Sequence, residues 1–439
     1  MPTICSRTCT AGNLPGDMQG NSERPARRNF LLNLFEGAIF IAGGSFISSQ
    51  TVLPALVSRL EGGNVAVGAV GVITYAGLFL PQLFAARYAQ TKPWKKPWAV
   101  GFGALQRCIV LLIGVLLLFA GHVPPSVALT LFLLLFIVLQ VTVGISTPGW
   151  FDLFAKLTPV SRRGRLSGLR TSLGGFGGLL CGMLLTVLLT VLPFPWSYAS
   201  AFLAAATLQW VSLGLQLGLV EDAPSPVMPS LGMGEYLRQL SAVLRSNREF
   251  RAFLFSSVFL VLASLPMGFF TVYALRRFHA PESVVGEFTL LLVAVQVVSA
   301  LVNGYLADRY GNRVVVLLAG AAMLLASAWA LMAPTLAAFR LVFVFAGMNL
   351  GSDLMARYNM SVEYGPVEQR STYVGLMNTV LSPVYLFGLG GGWVSDRFGY
   401  ETFFALGVIA SCAALALFLF RVRDPRHHVP LTAESGLSA

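Results

Sequence analysis

Long apolar runs separated by short polar joints repeat along almost the whole chain. The runs start at Phe30, Val65, Pro97, Ser126, Gly168, Ser197, Phe250, Val284, Arg313, Ala337, Ser371 and Glu401. A helix needs ~20 mostly apolar residues to cross a bilayer, so the pattern predicts twelve membrane-spanning helices. Most joints carry Pro, Gly or charge, the residues that end helices. The longest polar interruption, EDAPSPVMPSLGMGEYLRQLSAVLRSNREF, falls between the sixth and seventh runs. Prolines break its first half. In its second half Leu237, Leu240 and Leu244 recur at helical spacing, with Arg238, Gln239 and Arg245 between them. That spacing predicts a short basic amphipathic helix lying on the membrane face.

The two sets of six runs repeat each other at equivalent joints. PVSRRGRLSGL (159–169) follows the fourth run and PVEQRSTYVGL (366–376) the tenth, pairing Pro159 with Pro366, Arg163 with Arg370 and Gly168 with Gly375. Ala85, Arg87 and Tyr88 after the second run pair with Ala307, Arg309 and Tyr310 after the eighth. The expected fold is an all-α membrane protein of twelve transmembrane helices in two pseudo-symmetric six-helix bundles. The bundles span 30–220 and 250–421, joined by a cytoplasmic linker at 221–249 and flanked by cytoplasmic tails at 1–29 and 422–439. Residues 1–29 are polar and rich in Gly, Pro and Ser. They lack the short apolar core and small-residue cleavage site of a signal peptide and read as a disordered tail.

Composition agrees with the pattern. The 439 residues are 56% hydrophobic and 11% charged, with a mean hydropathy of +0.72. Soluble domains carry about 25% charged residues, so a soluble multidomain chain is excluded. The formal charge of +11 is explained by placement rather than by nucleic acid. With the N-terminus inside, only Arg59, Arg276, Arg277 and Arg397 fall in outer segments, and Arg107, Arg340 and Arg357 fall within helices. The other basic residues, Arg170 among them, fall on the inner side. This positive-inside asymmetry puts both termini in the cytoplasm of a plasma membrane whose inner leaflet is anionic. Cys5 and Cys9 have no nearby His, and Cys108, Cys181 and Cys412 stand alone in apolar sequence, so neither a disulfide framework nor a metal site is expected.

Between the eighth and ninth runs stands GYLADRYGNR (304–313). Its order of Gly, apolar pair, Ala-Asp-Arg, aromatic, Gly and basic residue resembles the loop signature of the major facilitator superfamily, and with the six-plus-six layout the resemblance covers about residues 30–421. The corresponding joint after the second run departs from the family pattern. Ala86 stands at the aspartate position, and the joint continues as QTKPWKKPW. The resemblance implies a transporter, working as a monomer, that exposes a midplane site to each side in turn as one half rocks against the other. It also implies an inner latch built on Gly304, Asp308, Arg309, Gly311 and Arg313. Charge pairing then sets Asp308 against Arg162, Arg163 and Arg165 of the opposite half, and Arg87, Lys92, Lys95 and Lys96 against Glu363 and Glu368.

Charge inside the bilayer is costly and marks a pathway. Glu36 lies about two turns into the first helix, and Arg107 is ~15 Å along the third. Asp353 and Arg357 are four apart, so they share one face of the tenth helix. The resemblance implies a cavity lined by helices 1, 4, 7 and 10, with 2, 5, 8 and 11 contributing. On those helices Gln50, Gln140, Trp150, Tyr273, Gln296, Asn349, Asn378 and Tyr385 complete the candidates for substrate or proton binding. No Gly-Lys-Ser/Thr and no His-Glu-x-x-His occurs, which excludes a P-loop ATPase and a zinc protease of that type. No catalytic nucleophile or paired catalytic carboxylates are evident, and no cofactor is implied. The expected function is secondary transport of a small organic solute, coupled to protons through Asp353 or Glu36. The competing expectation is a non-transporting facilitator-fold protein serving as an assembly factor or sensor.

Overall fold

The computed structural model describes residues 17–225, 227, 233–365 and 370–424. Among these residues twelve helices are long and apolar enough to cross a membrane. Spans 1 to 6 are Arg27–Arg59, Asn64–Gln90, Lys96–Leu118, Pro125–Leu157, Ser161–Val191 and Trp196–Leu217. Spans 7 to 12 are Arg248–Arg277, Ser283–Tyr310, Asn312–Met332, Leu336–Glu363, Thr372–Phe398 and Tyr400–Phe420. Two starts differ from the sequence reading. The first helix, Asp17–Gly44, begins inside the stretch read as a polar tail. The fifth begins at Val160, so the basic stretch before Gly168 is already helical. Pro159, extended at φ −53° and ψ 142°, marks that start, because a proline restrains the residue before it and suits the beginning of a helix.

Helix packing repeats with a period of six. In the first half span 1 packs on spans 5 and 6, span 2 on span 4, and span 3 on spans 4 and 6; the second half repeats this with spans 7 to 12. The halves meet where span 5 lies along span 8 and span 2 along span 11. Two joints shrink to one residue: Gly311 between spans 8 and 9 has φ +98°, and Gly399 between spans 11 and 12 has φ +88°. Only glycine takes that backbone cheaply. Both glycines end an Asp-Arg-aromatic-Gly sequence, at 308–311 and 396–399. The last part of the loop signature is therefore turn chemistry, used on both sides of the membrane.

The linker is tied down at its start. Glu221 accepts from the backbone N–H of Lys95 and of Lys96, each at 2.9 Å, and from Lys156 Nζ at 2.6 Å. A distant carboxylate thus caps span 3, whose own N-cap residue offers no side-chain acceptor. Burial pushes the Glu221 carboxyl up, but the Lys156 and backbone hydrogen bonds outweigh it and hold the group below the usual glutamate value of 4.5. A depressed carboxyl stabilises the fold above its unfolded pKa and loses that contribution as pH falls through the folded one. Glu221→Gln is expected to cost about 2 kcal/mol at neutral pH. In a denaturation series the difference from wild type should vanish once pH drops below the depressed value. Beyond the knot, the linker helix, Met233–Ser246, packs on spans 7 and 11, so the linker bridges the two halves.

Candidate functional site

Four spans lose regular α-helix midway. Span 1 narrows to a 3-10 turn at Ser45–Ile47 and restarts at Val52. Span 7 breaks at Leu265 and Pro266, span 10 at Gly351 and Ser352, and span 11 passes through a 3-10 stretch, Ser382–Leu386, containing Pro383. Irregular backbone at membrane depth survives only where it is buried in protein or lines a cavity. All four breaks converge on one cavity of about 180 Å³ between the halves.

The break in span 10 is held by its neighbours. Ser352 Oγ donates to Met348 O and accepts from Asn303 Nδ2 of span 8, while Ser299 Oγ donates to Met348 O at 3.1 Å. Gly351 lets the break touch span 8, since a Cβ there would sit 2.4 Å from Gln296 O. Beyond the break a new helix starts at Asp353, whose carboxylate therefore sits at a positive helix end. Asp353 Oδ2 accepts from Arg357 Nη2 in a short buried ion pair. Asp353 Oδ1 and Arg357 Nε are buried without a hydrogen-bond partner, and both residues line the cavity.

Around the pair stand Gln50, Gln296, Asn349 and Tyr385, all lining the cavity. Gln50 Nε2 donates to Tyr75 Oη at 3.2 Å, and Asn349 Nδ2 donates to Ala319 O at 3.0 Å. Tyr75 stacks on Tyr385 across the halves, with ring centroids 4.4 Å apart. Tyr75, Ser49 and Asn303 are missing from the sequence-derived set. The mid-span Pro266 and Pro383, and the Gly-Ser before Asp353, are the signals that locate the breaks.

The remaining candidates lie elsewhere. Tyr273 donates to Glu401 Oε1 at 3.1 Å, Asn378 Nδ2 donates to Tyr358 Oη at 3.3 Å, and Gln140 packs against Gly77. Glu36 and Arg107 belong to a buried network inside the first half. Arg170 Nη2 donates to Glu36 Oε2 at 3.0 Å, and Ser212 Oγ donates to Glu36 Oε1 at 3.4 Å. Arg107 is spent on Gln209 O, Gly103 O and Ser212 Oγ. Arg170, which the charge pattern assigns to an inner joint, is instead the buried partner of Glu36. The reason is the early start of span 5, which carries Arg170 into the bundle. Its guanidinium also lies 4.7 Å from the Trp150 ring centroid, which makes Trp150 a wall of this network. Trp150→Leu is expected to cost about 1–2 kcal/mol of stability through the lost cation–π contact. It should leave solute affinity unchanged in a binding titration.

The halves are joined on the side opposite Arg27 and Asp424. Thr51 and Thr289 hydroxyls meet at 2.6 Å, Thr271 Oγ1 donates to Gln50 O at 3.3 Å, and Tyr400 Oη donates to Asn64 Oδ1. Arg59 pairs with Glu282 at 3.0 Å. Backbones also touch there: a Cβ on Gly68 would sit 2.2 Å from Gly388 O, and one on Gly392 would sit 2.4 Å from Asn64 O. The structure is thus closed on that side.

On the opposite side several latch candidates bond within their own half. Arg163 donates to Thr158 O at 3.0 Å and to Ala155 O at 2.6 Å, capping span 4. Arg313 donates to Phe418 O and Leu419 O at the end of span 12, and Arg309 donates to Tyr305 Oη. Glu363 accepts from Asn312 Nδ2 at 2.7 Å. Asp308, Arg162, Arg165 and Gly304 are exposed at the ends of spans 8 and 5, and Arg87 ends span 2. Glu368 lies outside the described residues. Nor do the described residues contain a group of three His, Cys, Asp or Glu side chains able to hold a metal.

Comparison with known proteins adds a likeness in sequence and in fold. The sequence signature of the Major Facilitator Superfamily matches residues 254–438. No curated protein sequence matches the chain. Among solved structures, a D-xylose-proton symporter is similar over 91% of this chain and 98% of its own, with a TM-score of 0.64 at 14% identity. The nucleoside transporter NupG is similar over 90% and 98%, with a TM-score of 0.64 at 14% identity. A POT family transporter in complex with 5-aminolevulinic acid is similar over 91% and 96%, with a TM-score of 0.68 at 12% identity. The second half of the chain thus matches the signature of the Major Facilitator Superfamily, and the fold it shares with these transporters extends over nearly its whole length.

Proposed function

We propose that the chain is a secondary transporter that carries a small polar organic solute across the plasma membrane by alternating access, driven by the proton gradient, with both termini cytoplasmic. The observation that supports this reading is the cavity-lining ion pair Asp353–Arg357, whose Oδ1 and Nε are buried without a hydrogen-bond partner. Buried polar atoms without partners are costly. A solute offering an N–H or O–H to Asp353 and an oxygen to Arg357 satisfies both. Stacked Tyr75 and Tyr385 give its carbon skeleton a flat surface. Protonation of Asp353 weakens its hold on Arg357 and leaves that cation to the solute, which couples the two binding events. One structural neighbour is itself a D-xylose-proton symporter.

The test is a thermal-shift screen of metabolites against wild type and Asp353→Asn, followed by uptake into vesicles with and without a pH gradient. A ligand at a hundred times its dissociation constant should stabilise wild type by ~2.7 kcal/mol, and the mutant should not respond. A solute bound equally by Asp353→Asn, or carried equally without the gradient, would overturn the site or the coupling respectively.

A further inference from the structure

The joint after span 2 carries a Lys-Pro-Trp repeat, Lys92-Pro93-Trp94 and Lys96-Pro97-Trp98, that the transport site does not use. It opens onto a groove on the outside of the bundle, lined by Tyr88, Lys92, Trp94, Trp98, Gly101 and Leu105. Its aromatic wall is rigid. Trp98 Nε1 donates to Ile145 O at 3.0 Å, and the ring fills the space above Gly149, where an added Cβ would meet it at 2.2 Å. Tyr88 and Phe102 flank Trp98 with centroids 5.3 and 4.8 Å away.

Charge at the mouth is unevenly spent. Lys95 pairs with Asp152 and Lys156 with Glu221, while Lys96 Nζ is held by Leu217 O and Leu219 O. Lys92 Nζ sits 4.3 Å from the Tyr88 ring centroid and makes no ion pair among the described residues. From Pro97 the floor descends span 3 past Gly101 to exposed Leu105, ~12 Å at 1.5 Å per residue. Gly101 faces open space, since a Cβ there would meet nothing within 4 Å. A cation at headgroup level above an aromatic, apolar channel running into the bilayer matches one kind of molecule in both charge and length.

We propose that this groove is a binding site for one anionic phospholipid, its phosphate on Lys92 and the start of one acyl chain along Trp98, Gly101 and Leu105. Lysines near an anionic surface attract it, and aromatic rings anchor at the same level. The site is separate from the cavity and does not depend on which solute is carried.

Native mass spectrometry of delipidated protein, titrated with phosphatidylglycerol or phosphatidylcholine, tests it. Wild type should retain one phosphatidylglycerol in preference to phosphatidylcholine. Lys92→Ala should weaken that binding about five-fold, the equivalent of ~1 kcal/mol per basic residue. Gly101→Leu, which fills the groove from a position with room for a side chain, should weaken it at least about ten-fold through lost chain contacts. Equal retention of the two lipids, or unchanged phosphatidylglycerol binding in both variants, would overturn the proposal. Inorganic phosphate displacing the lipid at equal concentration would also overturn it, because the apolar channel would then contribute nothing. Should Gly101→Leu fold poorly, Lys92→Ala at the half-exposed joint carries the same comparison.

Discussion

Arg357→Ala is expected to destabilise the protein by about 3–5 kcal/mol and to abolish solute binding. Arg357 and Asp353 form an ion pair inside the bundle. Removing one member leaves the other as an uncompensated charge away from water, a cost of that size. Removing both members is different, because two neutral residues of similar volume leave no stranded charge. The double variant Asp353→Asn/Arg357→Gln should therefore recover most of the lost stability, yet bind no solute. Stability of wild type, Asp353→Asn, Arg357→Gln and the double variant, measured by unfolding in detergent, gives the coupling directly. Recovery of binding along with stability in the double variant would remove the pair from the site.

Gly392→Val is expected to hold the far side open. The added Cβ would lie 2.4 Å from Asn64 O and 2.6 Å from Val65 Cα. Backbone atoms cannot rotate away as side chains do, so spans 2 and 11 must separate at that end. Only a few kcal/mol divide the two states of a working switch, and about 5.5 kcal/mol carries a population from 99:1 to 1:99. Gly68→Val, directed at Gly388 O, should act alike. The reporter is a cysteine at Thr289, buried against Thr51 where the halves meet. A membrane-impermeant maleimide should label Thr289→Cys slowly in the wild-type background and at least ten times faster, as an order-of-magnitude expectation, with Gly392→Val. Unchanged labelling would mean that closure at Thr51 and Thr289 does not depend on the approach of spans 2 and 11. Transport should fall in either glycine variant, since a carrier held in one state cannot complete its cycle.

Much of this architecture was legible in the chain because the bilayer simplifies the reading. Length and hydropathy alone mark a span, and most of the starts read from the sequence fall within a residue or two of the observed ones. Span 5 is the exception that shows the limit. Its first turns are basic, so hydropathy misses them, although Pro159 announces the helix. The Asp353–Arg357 pair was also legible, since a spacing of four on one helix brings two side chains together without reference to any other element. Glu36 and Arg107 were legible as buried charge but not as part of a private network. Their partners Arg170 and Ser212 lie far along the chain, and only packing brings spans 1, 3, 5 and 6 to one point.

The number of spans, the six-plus-six repeat and the charged pair on span 10 can be read along the chain, because each follows from hydropathy, local spacing or repetition. Which polar groups share a cavity is settled by packing. Whether an amide faces the solute path or a neighbouring helix depends on helix rotation, on breaks such as Gly351-Ser352, and on glycines that set how closely backbones approach. Those are relations between distant segments. The structure likewise decided that the halves are closed where spans 1 and 2 meet spans 7, 8 and 11, which no local pattern in the chain announces.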